Sequence, residues 1–478
     1  MSHQRPNILL VTTDQQRGDC LGIEGHACLQ THNLDSLVRR GARFRRAYAE
    51  CPSCIPARRS LMTGLAPAAH GMVGFQYQDF EPSHTLPGEL RQAGYETKLV
   101  GKLHLQPYGK RFGFDHMLLT DNIGGNTDYT AWLRERGESA PDATADHGIM
   151  GEYWASRPDT LPEKKKHAYW IASKAIEFLT RQRDPTAPFF LNVSFFDPHT
   201  PFIPPQPHWD RYIQRQMPPA AVGDWAPDFG GPQKGLGSFA PHAHVDDQDL
   251  RDARAAYYAT IHFVDDQIGR ILRSLPSPRD TLVVFISDHG EMLGDHHMWS
   301  KTFPYEASAR IPFLLRAPEN WEFPQEILCD APVGLQDIMP TLLDAADLPI
   351  PDVCTGKSLL GIMRGASDPV REILHGEHSG HAHPDHATQY LVTDRYKYIW
   401  YTHSGREQLF DLRHDPDELH DLALEEDAAE RLKKWRGKMI EFLKDRPEGF
   451  TDGERLIKGR PHGHLLPDYK PDEIYPFL

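Results

Sequence analysis

Four stretches of the chain are continuously apolar and rich in β-branched or aromatic residues: 7–11 (NILLV), 97–100 (TKLV), 189–196 (FFLNVSFF) and 282–287 (LVVFIS). Alternate side chains of a strand point to opposite faces, so an unbroken apolar run predicts a strand covered on both sides. Between these runs the apolar spacing becomes helical. Asn33 is placed to cap a helix with Leu34, Leu37 and Val38 on one face and Gly41 as its stop. Residues 86–93 end at Gly94 in the same way, and 171–181 and about 250–275 are amphipathic. Strand alternating with helix predicts an α/β fold, a parallel sheet clothed by helices on both faces.

The texture changes near Arg371. Residues 390–393 and 396–401 read as a hairpin turning at Asp394-Arg395, 408–412 as another strand, and 428–444 as a charged helix. This predicts a small antiparallel α+β unit. Residues 201–250, rich in Pro and Gly, read as a long surface loop. The last ~30 residues carry no periodic pattern and are expected to wander or to dock on a partner subunit. No internal repeat or low-complexity block is visible.

Composition narrows the class. Of 478 residues, 39% are hydrophobic, enough for a large core, and no run approaches the roughly 18 apolar residues of a membrane span. No apolar signal core precedes the first strand, so a cytoplasmic location is expected. The net charge of −15 disfavours nucleic acid and anionic membrane surfaces as partners. An anionic ligand would need a local cationic pocket. Six cysteines (Cys20, Cys28, Cys51, Cys54, Cys329, Cys354) in so large a chain do not read as a disulfide framework. The Cys51/Cys54 spacing admits zinc, but no second Cys/His pair follows at finger-like spacing. Among the 27 histidines, the tract His375, His378, His381, His383, His386 reads as a solvated loop rather than a metal tract.

The chemistry gathers where the four strands end. Asp14-Gln15 follows the first, Lys102 and His104 the second, His199 the third, Asp288-His289 the fourth. Ligands of open α/β sheets bind at the carboxyl ends of strands, so these side chains can converge on one pocket. Singly, each has a plainer reading: Asp14 as a turn former, Asp288-His289-Gly290 as a turn, Lys102 and Lys301 as solvated charges, His199 as a surface hydrogen-bonder. Jointly, Asp14, Asp288 and His289, with Gln15 as an oxygen donor, suit a divalent cation. Arg58, Lys102 and Lys301 suit an oxyanion, and His104 and His199 can move protons near neutral pH.

The segment Cys54-Ile55-Pro56-Ala57-Arg58, continued by Leu61, Thr63 and Gly64, resembles the sulfatase signature C-x-P-x-R. Cys51 lacks a proline at the matching offset, where Ser53 stands. The resemblance extends through Pro6–Gln15, Gly101-Lys102-Leu103-His104, Ser287–Glu291, Leu293–His296, Lys301 and the C-terminal Gln408–Leu412 with Asp415-Pro416 and Glu418. It implies an alkaline phosphatase-like fold: a large mixed sheet flanked by helices, with a smaller C-terminal α+β subdomain. It further implies a catalytic unit over 1–370, a subdomain over 371–445 and a tail over 446–478 suited to oligomer contact. Cys54 would be oxidised to formylglycine by a dedicated modification system, and one divalent ion (Ca²⁺ first, with Mn²⁺ or Mg²⁺ as alternatives) would be held by Asp14, Gln15, Cys54, Asp288 and His289. Many sulfatases carry Asp-Asp and Asp-Asn where this chain carries Asp14-Gln15 and Asp288-His289, a pairing similar to choline sulfatases, some bacterial arylsulfatases and phosphonate monoester hydrolases.

What this implies chemically is hydrolysis of a small aryl or alkyl sulfate ester. A hydrated aldehyde offers two hydroxyls, one to attack sulfur and one whose deprotonation releases sulfate; a serine has one. Arg58, Lys102 and Lys301 would stabilise the sulfuryl oxygens, His199 would protonate the leaving alcohol, and His104 would act as the base. The alternative is phosphonate monoester or phosphodiester hydrolysis on the same scaffold. Enzymes of that kind tend to carry tyrosine and threonine where this chain has Lys102 and His104, which favours sulfate. A non-catalytic binding protein would be expected to have lost Cys54, Arg58 or Asp288, and none is lost. A homo-oligomer is expected.

Overall fold

The computed structural model describes residues 5–120, 126–138, 154–228, 241–366, 368–380 and 384–466. Eight strands form the main sheet: β1 (Asn7–Thr13), β2 (Gly41–Phe44), β3 (Glu96–Gly101), β4 (His116–Leu119), β5 (Phe189–Ser194), β6 (Thr281–Ser287), β7 (Phe313–Arg316) and β8 (Ile327–Cys329). Their spatial order is β4-β3-β5-β1-β6-β7-β2-β8. Only β7 runs against its neighbours, so the sheet is mixed rather than wholly parallel.

The alternation of side chains divides the core in two. Ile8 and Leu10 of β1 join Leu282, Val284 and Ile286 on one face, while Leu9 and Val11 join Val283 and Phe285 on the other. The first face is covered by α1 (Cys54–Thr63), α2 (Leu86–Gln92) and α5 (Ile338–Ala345); the second by α3 (His167–Glu177) and α4 (Asp247–Arg273). β1, β5 and β6 are buried along almost their whole length, as continuous apolar runs require.

Several boundaries differ from the sequence reading. The helix expected from Asn33 begins at His32 and tightens to a 3₁₀ turn over Ser36–Arg40. Asn33 does not cap it; its amide donates to Asp265, 2.9 Å away on α4. Gly41 adopts an extended φ of −169° and opens β2 rather than forming a left-handed stop. The loop read over 201–250 contains a helix, Gln206–Ile213, and the start of α4, capped by the Asp246 carboxylate.

Four further strands make a separate antiparallel sheet: β9 (Leu374–His378), β10 (Thr388–Val392), β11 (Tyr396–Tyr401) and β12 (Glu407–Asp411), in that order. The helix α6 (Ala428–Leu443) packs Trp435, Met439 and Leu443 against Leu391, Tyr398, Trp400 and Leu409. His375 and His378, read as loop, lie on β9, and His378 is buried. His381 and His383 fall outside the described residues. As far as Leu466 the tail docks on its own chain: Phe450 is buried in the α6 cluster, Arg446 pairs with Glu377 at 2.7 Å, and the Leu465 amide donates to the Gly71 carbonyl. Among the described residues no helix is long and apolar enough to cross a membrane.

Candidate active site

The carboxyl ends of β1, β3, β5 and β6 deliver the expected side chains to one place, facing the start of α1. Cys54 is the first residue of α1 and Arg58 lies one turn on, so the C-x-P-x-R spacing puts sulfur and guanidinium on the same helical face. Pro56 sits in the first turn, where its missing N–H leaves no intrahelical bond unmade, and Gly64 ends the helix at φ 69°. Two strand exits turn through left-handed residues that are not glycine, Gln15 (φ 69°) and His104 (φ 55°). Such conformations cost of order 1 kcal/mol or more and cluster where side chains must be aimed. Gly101 leaves β3 at φ 117°, where an added Cβ would lie 1.8 Å from the Ser194 carbonyl oxygen.

Asp14, Cys54, Asp288 and His289 are all buried and each offers a donor atom within 4.8 Å of the others. Cys54 Sγ is 3.1 Å from His289 Nε2 and 3.8 Å from Asp14 Oδ1. His289 Nδ1 donates to the Gly290 carbonyl at 2.9 Å, which turns Nε2 toward the cluster. Two carboxylates and an imidazole suit a divalent cation. Gln15 joins the group through its backbone N–H, which donates to Asp288 Oδ1 at 3.1 Å. Its Oε1 accepts from Lys301 Nζ at 2.7 Å and its amide nitrogen donates to Glu291.

The cations interleave with this group. Arg58 Nε donates to Asp288 Oδ2 at 2.9 Å and Nη2 lies 3.4 Å from Asp14 Oδ2, while Nη1 donates to the Lys102 carbonyl and the Ser194 hydroxyl, both at 3.0 Å. Lys102 Nζ pairs with Asp14. Burial and the Cys54 sulfur push the Asp14 carboxyl up, but Lys102, His199 and Arg58 outweigh them and hold it below the usual range. Burial pushes the Cys54 thiol up, yet Lys102, Lys301, His289 and a hydrogen bond with His104 bring it well below an ordinary thiol. Burial also pulls Lys102 down, and Asp14 and Cys54 more than reverse it. Asp288 is raised, by burial and then by Asp14.

His199 Nδ1 donates to the Thr200 carbonyl at 2.8 Å, and its Nε2 lies 2.7 Å from Lys301 Nζ, so Nε2 accepts from the ammonium. Burial, then Lys301, hold His199 below an ordinary imidazole. His104 lies beside Phe75 and Tyr77, with Tyr77 Oη 3.5 Å from its Nε2. Phe196 packs against His199 on the other side and under Lys102 Nζ at 5.1 Å.

All the residues singled out from the sequence therefore meet here. Two were missed. Glu291 accepts from Gln15 and from the Leu293 and Ser300 amides, fixing the turn that carries Lys301. Ser194 holds Arg58. Glu291 was visible in the Asp-His-Gly-Glu run; Ser194 was hidden inside an apolar strand.

A family model described as sulfatase matches residues 6–348. The chain belongs to the sulfatase family. A second model, described as N-sulphoglucosamine sulphohydrolase, C-terminal, matches residues 294–445 of this sulfatase. It is 38% identical to an arylsulfatase of Clostridium perfringens over 96% of this chain and 98% of that protein. It is 30% identical to a choline-sulfatase of Rhizobium meliloti over 88% of this chain and 83% of that one. Among solved structures, the phosphonate monoester hydrolase of Agrobacterium radiobacter is similar over 95% of this sulfatase and 100% of that chain, with a TM-score of 0.77 and 26% identity.

Proposed function

We propose that this sulfatase hydrolyses small aryl or alkyl sulfate esters, with Cys54 in its formylglycine form and one divalent cation held by Asp14, Asp288 and His289, with Gln15 beside them. The carrying observation is the convergence of Cys54 with those three ligands and with Arg58, Lys102 and Lys301 in one buried cluster. The cation and the hydrated aldehyde supply, when present, a nucleophilic oxygen at neutral pH.

The chain's own residues do the rest. Lys102, Lys301 and Arg58 hold positive charge, fixed by Asp14, Gln15 and Asp288, where charge grows on the sulfuryl oxygens. Because the structure is built before the substrate arrives, little reorganisation is needed during reaction. His199 and Lys301 share a hydrogen bond and act together as the acid toward the departing alcohol. His104, beside Cys54, accepts the proton whose removal releases sulfate. A formylglycine-generating modification system is a required partner.

The likeness to a phosphonate monoester hydrolase supports the second reading, phosphonate or phosphodiester hydrolysis. Lys102 and His104, in place of the tyrosine and threonine that the second reading would lead one to expect, support the sulfate reading. The test is kcat/KM for an aryl sulfate, an alkyl sulfate, a phosphodiester and a phosphonate monoester in one preparation, with mass analysis of the Cys54 peptide. Sulfate esters should lead, and the peptide should carry the aldehyde or its hydrate. Faster phosphonate turnover would favour the second reading, and full turnover with only thiol at Cys54 would end both.

A further inference from the structure

A second group of metal-ligating side chains lies outside this cluster. His297 belongs to the loop after β6 that also carries Lys301, and sits at φ 60°. The Ala243 amide donates to the His297 carbonyl at 2.9 Å, laying the segment before α4 alongside that loop. The His244 ring then stacks on His297 with centroids 4.7 Å apart and planes 28° from parallel. Asp228 Oδ1 is 3.1 Å from His244 Nδ1. One donor atom from each of Asp228, His244 and His297 lies within 4.8 Å of the other two.

An ion pair accounts for Asp228 and His244. It leaves the His297 imidazole, held against the His244 ring, outside the pair. A shared cation accounts for all three. Donors at about 2.0–2.1 Å on a tetrahedral ion stand roughly 3.3 Å apart, near the 3.1 Å between Asp228 and His244. Both histidines border a cavity of about 500 Å³, alongside Leu250, Arg251, Arg254 and Trp299. That leaves room for a water in the fourth position.

We propose that Asp228, His244 and His297 form a second cation site, selective for zinc-class ions. Two imidazoles and one carboxylate favour Zn²⁺ over Ca²⁺ or Mg²⁺, whereas the Asp14–Asp288 site is richer in oxygen. The ion fastens together parts that carry different duties. Close to Asp228, the Trp225 indole donates to the Glu418 carbonyl at 2.7 Å and the Asp224 amide to the Leu419 carbonyl, anchoring that segment on the C-terminal subdomain. His297 stands four residues before Lys301. A bound ion therefore ties the subdomain to the loop that presents Lys301.

The test uses the full-length protein in Ca²⁺-containing buffer, with Zn²⁺ alone as the probe and retained metal measured after dialysis. Wild type should retain one zinc per chain more than His244→Ala/His297→Ala, and Asp14→Asn/Asp288→Asn should keep that zinc. Zinc should raise the Tm of wild type and not of the double histidine variant. If that variant fails to fold, Asp228→Asn at the exposed ligand should weaken zinc retention at least tenfold. Equal zinc on wild type and the histidine variants, or zinc lost with Asp14 and Asp288 alone, overturns the proposal, and neither result bears on sulfate hydrolysis.

Discussion

His199→Ala tests the assignment of the acid most directly. Lys301 Nζ lies 2.7 Å from His199 Nε2. At an effective dielectric near 20, a second unit charge at that separation costs about 6 kcal/mol. Near neutral pH the pair therefore holds one transferable proton, not two, in keeping with a lowered His199. A general acid contributes ~10²–10⁴ in rate, or about 3–5 kcal/mol, when the leaving group needs a proton. Nitrophenolate leaves as a stable anion and needs none; an alkoxide does. His199→Ala should thus slow alkyl sulfates by ~10²–10⁴ while 4-nitrophenyl sulfate loses no more than a few-fold. Because one proton serves both residues, Lys301→Met added to His199→Ala should cost alkyl sulfates far less than the sum of the single losses. The assay is kcat over a series of leaving groups for both single variants and the double. Equal losses across the series would remove His199 from the acid role, and additive losses would refute the shared proton.

Cys54→Ala should abolish turnover and cost no more than about 1.5 kcal/mol of stability by urea unfolding, since it deletes one buried atom. Removal of divalent ions by a chelator should abolish turnover reversibly while near-UV circular dichroism stays native, because Arg58 and Lys102 still pair with Asp14 and Asp288; unfolding on chelation would contradict that account. Stability should fall as pH drops from 6.5 toward 5. Burial, then Arg59, push His70 down to about 3; burial, then Lys166, push His167 down to about 3. Burial likewise pushes His242, His262, His296 and His464 down to about 4. The unfolded chain, with ordinary imidazoles near 6.5, binds those protons first, so each lowers stability by up to about 1.4 kcal/mol per pH unit below 6.5. Burial raises Glu50 and Glu418 to about 7 and Asp265 to about 6, which works the other way but with half as many groups. Urea midpoints at pH 8, 6 and 5 measure the balance, and His70→Gln should flatten the slope. An unchanged slope in His70→Gln would show that His70 is not held neutral.

The central strands were legible because burial on both faces leaves an unbroken apolar run that almost nothing else produces. What escaped depended on partners far along the chain. Asn33 has the side chain of a helix cap, but Asp265, 232 residues away, takes its amide, and the helix starts one residue earlier. The Gln206–Ile213 helix hides behind Pro205 and Pro207, which read as loop, although proline is tolerated in a first turn. It holds because Tyr212 is buried against α4, with its hydroxyl 2.9 Å from His262 Nδ1. His375 and His378 look like solvated loop by composition; they are strand residues because β9 pairs with β10 and Glu377 is neutralised by Arg446. The site was legible as residue types at strand ends. Its couplings were not: nothing local to His199 points to Lys301, 102 residues on.

The net charge of −15 and the anionic ligand proposed for this chain are compatible for a reason of distance. At physiological ionic strength exposed charges are screened beyond roughly 8 Å, whereas buried charges interact through a poorly polarisable interior. The surface excess of carboxylates therefore says little about the field inside the cluster. There, Arg58, Lys102 and Lys301 stand against Asp14 and Asp288, so with Cys54 in the uncharged form proposed above these groups favour an anion, and a divalent cation would deepen that preference. Surplus positive charge is affordable at that point because each cation is anchored by a named oxygen: Lys102 by Asp14, Arg58 by Asp288, Lys301 by Gln15. This makes Gln15 a physical choice rather than a weaker aspartate. A carboxylate in its place would neutralise Lys301 and cancel part of the field, while the amide orients the ammonium and leaves its charge for the substrate.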